Sequence, residues 1–534
     1  MSKNIIVCSD GTGNTTIKGR GTNVFKLFEA VDLNGHRTDP RLMPQVAIYD
    51  DGVGTESFKP LKILGGATGF GLARNVRQLY TSIVRIYDPG DRIFLFGFSR
   101  GAFTVRTLSG LIAKCGILDF DKLKTAGALA GTVSKAYRTY RRSYRTVPGR
   151  ALHFVLKSIG LRDPDDRAME KFRETNSLHQ EVPIAFLGVW DTVDAVGTPF
   201  RISDVINTLI HRFKFPDHEL IKNVRHACHA LSLDDARESF HPLLWKEDTR
   251  IEQVWFAGVH SNVGGGYPKQ GMSLVTLDWM MQKAEESGLR ILPDDRKTCR
   301  EHGSVDDKLY DSRAGLGVFY RWLPRDMAAI CKDAGVEPVV HVSVMERIAH
   351  GTDDYAPGNL ARNAKVVITP TGDDAQDAHS KARALAVQAV LQSAHQTGSS
   401  LLSRVGGTIL IGRISYWLYV LSCVAVLVAA SILENGGSLL NPWTALKGAA
   451  ELLYAAATGN YGALAPVALR LLEDSLLVAA LAAGFALAAL LALFTDHRMS
   501  AVFSKSWHLA RRRLRLALRD AGRGGDGLGR AAGA

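Results

Sequence analysis

Between Arg92 and Cys115 an apolar run, Arg92-Ile93-Phe94-Leu95-Phe96-Gly97-Phe98, passes directly into Ser99-Arg100-Gly101-Ala102-Phe103 and then into a helical pattern over Thr104 to Cys115. A strand that enters G-x-S-x-G and leaves as a helix makes a cramped turn, so glycine is needed at 97 and 101, where a side chain would meet neighbouring backbone. Short apolar runs of the same kind recur at Asn4–Ser9, Val46–Asp50, Pro183–Trp190 and Ile251–Val259, each followed by a glycine-rich or polar turn and most by a helical pattern. They read as buried strands with crossover helices, and the fold they predict is α/β, a doubly wound, mainly parallel sheet.

The serine in such a turn suggests chemistry. A serine hydroxyl is a weak nucleophile at neutral pH and needs a histidine base, which in turn needs a carboxylate to set its tautomer and stabilise the imidazolium. In α/β-hydrolases these follow in the order Ser, acid, His, each at the end of a strand. Ser99 is then the nucleophile of an α/β-hydrolase-like domain. Asp191, which ends the strand before Thr192-Val193-Asp194, is the acid, and His260, which leaves a strand into Ser261-Asn262-Val263-Gly264-Gly265-Gly266-Tyr267, is the base. Asp194 is the competing acid. An oxyanion hole needs two converging N–H donors, one from the residue after the nucleophile, Arg100, and one from a loop such as Asp10-Gly11-Thr12-Gly13-Asn14, where Gly11 or Thr12 is the candidate; a plain Asp-Gly turn is the alternative. Gly66-Ala67-Thr68-Gly69-Phe70-Gly71 superficially resembles a dinucleotide fingerprint but lacks its spacing and acidic partner, and reads as a loop into a helix over Leu72–Val84. Six cysteines show no C-x-x-C pair or zinc spacing, so neither a disulfide scaffold nor a metal is expected, and no cofactor is required.

The far end is different. Ile414 to Leu433 is a run of 20 residues without a charge and Ser475 to Thr495 one of 21. About 20 apolar residues span a bilayer core, so a two-helix transmembrane hairpin is predicted over 404–497, with spans 414–433 and 475–495. Tyr416, Trp417 and Tyr419 are its expected interface anchors. The net charge of +12 is concentrated behind it, since residues 498–534 hold nine Lys/Arg against two Asp/Glu. This basic tail makes a membrane surface a better partner than nucleic acid, for which no reader motif is present. The intervening loop is acidic on balance, so the positive-inside rule predicts a multi-pass inner-membrane protein with its catalytic domain and C-terminus cytoplasmic. No secretory signal opens the chain. The organisation expected is a catalytic domain over 1–372, with a helical insertion at about 119–176 that is either a lid or a pair of helices packed on the sheet, a polar helix and linker over 373–403, the hairpin, and the tail.

The set Asp10-Gly11-Thr12, Gly52-Val53-Gly54-Thr55, Gly97-Phe98-Ser99-Arg100-Gly101-Ala102-Phe103, Gly188-Val189-Trp190-Asp191-Thr192-Val193 and Trp255-Phe256-Ala257-Gly258-Val259-His260 through Gly264-Gly265-Gly266-Tyr267 resembles the catalytic domain of bacterial type VI secretion phospholipase effectors. The likeness continues through Tyr320-Arg321 with Pro324-Arg325, His341-Val342-Ser343-Val344 and Tyr355-Ala356-Pro357-Gly358-Asn359-Leu360. The resemblance implies an α/β-hydrolase that cleaves acyl esters of glycerophospholipids, with Ser99, Asp191 and His260 as its triad. It also implies delivery to a target cell, with an immunity protein and a secretion spike or chaperone as partners. A membrane esterase or thioesterase on another substrate, and a non-catalytic membrane protein on the same scaffold, are the alternatives.

Overall fold

The computed structural model describes residues 2–11, 21–52, 70–123, 125–142, 164–179, 181–194, 218–370, 374–394, 400–434, 451 and 475–523. Within them one sheet holds β1 (Asn4–Ser9), β2 (Gln45–Asp50), β3 (Arg92–Phe98), β4 (Ile184–Trp190), β5 (Ala227–Ser232), β6 (Ile251–Phe256), β7 (Val339–His341) and β8 (Lys365–Val367). Its order is β8-β7-β6-β5-β4-β3-β1-β2, and every neighbouring pair is parallel. Every residue of β1, β4 and β5 is buried, as expected where helices cover both faces. Alternation divides the strands between two cores. Ile5, Val7, Ile93 and Leu95 face one with Val76, Tyr80 and Phe103, while Ile6, Cys8, Phe94, Phe96 and Phe98 face the other with Trp279 and Met280.

The order reverses at β1, which has β2 on one side and β3 on the other. In open α/β sheets such a switch point, here outside the carboxyl ends of β1 and β3, is where ligands bind. The helices that matter for it are α1 (Asn23–Ala30), α2 (Phe70–Ile86), α3 (Arg100–Cys115), α4 (Ala126–Arg142), α5 (Pro164–Asn176), α6 (His260–Gly264) and α7 (Gly271–Glu286), followed by α8 (Val342–His350), α9 (Asp374–Ala394), α10 (Gly406–Glu434) and α11 (Ser475–Arg523).

Several elements differ from expectation. β6 ends at Phe256 rather than Val259, because Gly258 turns at φ 114° and its N–H is taken by Asp234 at 2.6 Å. β5, β7 and β8 are additional strands; β5 reads Ala-Cys-His-Ala-Leu-Ser, with little β-branched content to betray it. In the region of the insertion, α4 and α5 pack on the sheet's helical layer: Gly110 lies against the Tyr140 hydroxyl, and Cys115 meets Met169 at 3.6 Å. Residues 143–163, including the apolar run from Ala151, lie outside the described residues, as do the loop at 53–69 and most of the segment between the two spans.

The largest departure is at the C-terminus. Residues 498–523, expected as a basic tail, continue the 49-residue helix α11 and fold back onto the domain. Trp507 and Leu514 are fully buried with Phe503 in a third core that also takes Trp255, Val340, Met345, and Val387 and Leu391 of α9. Trp507 Nε1 donates to the Pro357 carbonyl at 2.8 Å, Arg511 to that of Tyr355 at 3.0 Å and Arg515 to that of Ala349 at 2.6 Å. The apolar residues of this amphipathic half turn inward, and these two arginines cap backbone carbonyls.

α10 and the first part of α11 are long and apolar enough to cross a membrane. They meet through small residues: Ser415 Oγ donates to the Ala488 carbonyl at 2.7 Å, and Gly484 faces Ser422 Oγ. Leu410, Ile414, Trp417, Leu421 and Val424 are all exposed, at steps of four and three residues that place them on one face of α10. Of the three expected aromatic anchors only Trp417 looks outward. Tyr416 is buried and donates to the Phe319 carbonyl at 2.9 Å, and the Tyr419 ring lies 5.9 Å from that of Phe319.

Candidate active site

Ser99 sits between β3 and α3 at φ 59° and ψ −121°, a backbone state that costs a non-glycine residue strain. Its surroundings hold it there. The Ser99 N–H donates to the Trp190 carbonyl at 3.0 Å, tying the turn to β4. A Cβ on Gly97 would stand 2.6 Å from the Gly101 carbonyl oxygen, and one on Gly101 would stand 2.1 Å from that of Ser9. Both glycines are thus required by close backbone approach, and the second brings the end of β1 against the turn. Arg100 opens α3; as the first helical residue its N–H has no acceptor within the helix. Burial brings its guanidinium down to about 10, despite the nearby Tyr320.

The loop after β1 is only partly described. Asp10 is buried and accepts from Thr22 Oγ1 and Tyr49 Oη, both at 2.6 Å. The Gly11 N–H donates to Asp10 Oδ1 at 2.6 Å, so it is turned toward its neighbour's carboxylate. Thr12 lies outside the described residues.

Asp191 follows β4 with φ 41° and is fully buried. Its Oδ2 lies 2.5 Å from His260 Nδ1. Asp194, three residues on, is half-buried. The His260 ring is packed between Phe98, 4.6 Å away between ring centres, and Phe240, edge-on at 5.0 Å. Phe98 precedes Ser99 directly, so the imidazole lies beside the serine's turn. His260 Nε2 is buried and has no hydrogen-bond partner among the described residues. The His260 N–H donates to Asp235 Oδ2 at 3.2 Å, and Asp235 is itself held by Arg237 at 2.7 Å.

Charge follows geometry. Burial alone would raise the Asp191 carboxyl, but the guanidinium of Arg325 and the hydrogen bonds from His260 and Arg325 overcome it and hold it well below the usual carboxylate range. Burial likewise lowers the His260 imidazole below its ordinary value, against the raising effect of Asp191. The result is an ionised acid beside a neutral base.

Arg325 enters the sequence reading only as part of the family likeness, with no role attached to it. It stands 134 residues from Asp191, in a stretch that offers neither a turn nor a periodic cue. His229 was also silent: buried in β5, it is brought down to about 3 by burial and then by Arg106, and its neutral Nε2 accepts the Thr192 N–H at 3.0 Å, holding the backbone next to Asp191. Among the described residues, His226, Cys228 and Glu252 bring ligand-type atoms within 4.8 Å of one another. They lie where β5 and β6 begin, at the sheet edge opposite Ser99, and the Lys283 ammonium already holds Glu252 at 3.0 Å.

Fold and site together define an α/β protein whose polar groups gather at the carboxyl edge of a parallel sheet. The chain belongs to the family of T6SS phospholipase effectors of the Tle1-like kind, whose catalytic-domain model matches residues 3–283. An uncharacterized protein of Saccharomyces cerevisiae, YEL023C, is 28% identical over 255 residues, which are 45% of this chain and 32% of that protein. The match therefore spans about a third of the relative's length. A solved structure of the Tle1 effector bound to the VgrG spike from the Type 6 secretion system is similar over 59% of this chain and 78% of that one, at 14% identity and a TM-score of 0.33.

Proposed function

We propose that this chain is a membrane-anchored serine hydrolase that cleaves acyl ester bonds of glycerophospholipids, a phospholipase of the A type. The observation that carries the reading is the buried Asp191–His260 pair, whose free Nε2 lies beside the strained turn of Ser99. In this mechanism Ser99 Oγ attacks the ester carbonyl while His260 Nε2 takes its proton. The oxyanion is held by the Arg100 N–H and by a second donor, either Thr12 or Gly11 once its N–H turns from Asp10. The imidazolium, stabilised by Asp191, gives its proton to the departing lysophospholipid alcohol. Water, activated by the same imidazole, then attacks the acyl-serine and releases the fatty acid.

The hairpin suits a lipid substrate. Residues 420–434 of α10 rise about 22 Å, less than a bilayer core, while the turns before them rest on Phe319 and Trp322. A bilayer accommodating the rest of the span would bring this face of the domain to headgroup depth. Anchoring there keeps the site within a two-dimensional pool of substrate. As an effector the protein would travel with a secretion spike or chaperone that masks the hairpin, and would be neutralised in its producer by an immunity protein. One observation favours a second reading: the similarity to a yeast protein places such a sequence in a eukaryote, which suits a resident membrane esterase or thioesterase acting on another ester.

The test is hydrolysis of mixed-acyl phospholipid vesicles by the detergent-purified chain, with fatty acid and lysophospholipid followed by mass spectrometry. Release should fall by about 10⁴-fold or more in Ser99→Ala. Undiminished release in that variant would refute the mechanism. Ser99-dependent fluorophosphonate labelling without phospholipid cleavage would favour the second reading.

A further inference from the structure

The side chain of Arg325 is fully buried, and both its terminal nitrogens are on Asp191: Nη1 donates to Oδ1 at 2.8 Å and Nη2 to Oδ2 at 2.9 Å. Nη1 also donates to Ser232 Oγ at 2.7 Å and to the Ser232 carbonyl, and Nη2 to the Phe240 carbonyl. Ser232 closes the ring from the end of β5, giving its N–H to Oδ1 at 3.0 Å and its hydroxyl to Oδ2 at 3.1 Å. The carboxylate is thus clamped in one plane, with Oδ2 shared among Arg325, the Ser232 hydroxyl and His260. A planar fork can set that plane; a single ammonium cannot.

We infer that Arg325 is a positioning residue of the proposed triad, orienting Asp191 so that it holds His260 by Nδ1 and leaves Nε2 for Ser99. The inference rests on the triad reading above. A buried ion pair of this kind is poorly explained by stability alone, since packed apolar residues often serve as well. Its location is what points to the reaction, because the grip is on the oxygen that meets the imidazole. The charge balance agrees. Burial raises the Asp191 carboxyl, and Arg325 is the first of the groups that lower it, ahead of His260, so removing Arg325 shifts Asp191 toward its protonated form, which cannot stabilise the imidazolium. The other charged or titratable groups around the pair are His229 with Arg106 behind it, Asp235 paired with Arg237, Asp234 under the Gly258 turn, and His241 against the Leu323 carbonyl. Arg325 is the one among these that hydrogen-bonds both Asp191 oxygens.

The experiment measures the rate of Ser99 labelling by a fluorophosphonate across the acid pH range, with the full chain in detergent, for wild type, Arg325→Lys and Arg325→Ala. A misplaced acid should slow labelling by on the order of 10²-fold in Arg325→Ala. Arg325→Lys should also be slow while still unfolding cooperatively, since it keeps a cation but loses the fork. The acid limb of the rate should move to higher pH in Arg325→Ala, and added guanidinium should restore part of its rate by filling the vacated site. Wild-type rates in a folded Arg325→Lys, together with an unmoved acid limb and no guanidinium rescue in Arg325→Ala, would overturn the role of Arg325 alone. Absence of Ser99-dependent labelling in wild type would overturn the triad reading and this inference with it.

Discussion

At Ser99 a polar residue holds a backbone conformation that glycine would adopt more readily, and the glycines on either side make that possible. Gly101 is the stricter of the two, since its missing Cβ leaves room for the Ser9 and Asp10 carbonyl oxygens, which are backbone and cannot rotate away. Gly101→Ala should therefore cost about 1–3 kcal/mol and part the end of β1 from the serine's turn, lowering activity as well. Urea unfolding together with the vesicle assay checks this, and a fully stable variant would contradict the packing. The turn was legible in the sequence because G-x-S-x-G acts within five residues. Asp191 and His260 were legible as strand-end residues, although their direct contact at 2.5 Å needed coordinates. Arg325 was legible only as part of the family likeness, without a role: nothing in Trp-Leu-Pro-Arg tells which carboxylate it will meet.

Among the elements, α11 does two jobs along one axis. Its first half is apolar and largely exposed, from Leu476 to Phe494; its second half carries Phe503, Trp507 and Leu514 into a core shared with α8 and α9. The two apolar helices are thereby rooted in the α/β domain through the second half of α11. Trp507→Ala should cost about 3–5 kcal/mol and expose Arg511, Arg512 and Arg513 to trypsin, with thermal unfolding and a digestion time course as readouts. Unchanged proteolysis would mean that the helix is held by other contacts. The sequence marked the apolar half by its lack of charge but misjudged the basic half, because a charge surplus hides an inward-facing stripe when the stripe is spaced over several turns.

Across the whole molecule, buried histidines set the response to pH. His229 and His341 are each brought down by burial to about 3, and His260 is lowered too. An unfolded histidine takes a proton near pH 6.5, so the unfolded state binds more protons below that value. The stability these residues contribute is full above about pH 6.5 and is lost as pH falls toward about 3. Asp234, pushed up to about 6 mainly by burial, acts in the opposite sense between about 6 and its ordinary value of 3.8, as do Asp50, Glu29 and Glu285, also raised by burial, whereas Asp191 and Asp235, lowered despite their burial, side with the histidines. Denaturant midpoints should accordingly fall on acidification from neutral pH; a midpoint that rises toward pH 5 would contradict the neutral, buried state of these rings. By the same shift, the acid limb of Ser99 labelling in wild type should lie below the ordinary histidine value.

Local and periodic features were determined by the sequence alone: short apolar runs bounded by turns suit the strands of a parallel sheet, the serine turn needs its glycines, and two uncharged runs of about 20 residues suit a bilayer. These depend on neighbours within one or two turns of chain. The tertiary structure decided what depends on distant residues: that β5, poor in strand-forming residues, is central because β4 and β6 pair with it; that Tyr416 turns inward to Phe319; that the basic end of α11 packs onto the domain; and that Arg325 reaches Asp191. Burial and partner choice are properties of the assembled core, and no window of sequence contains them.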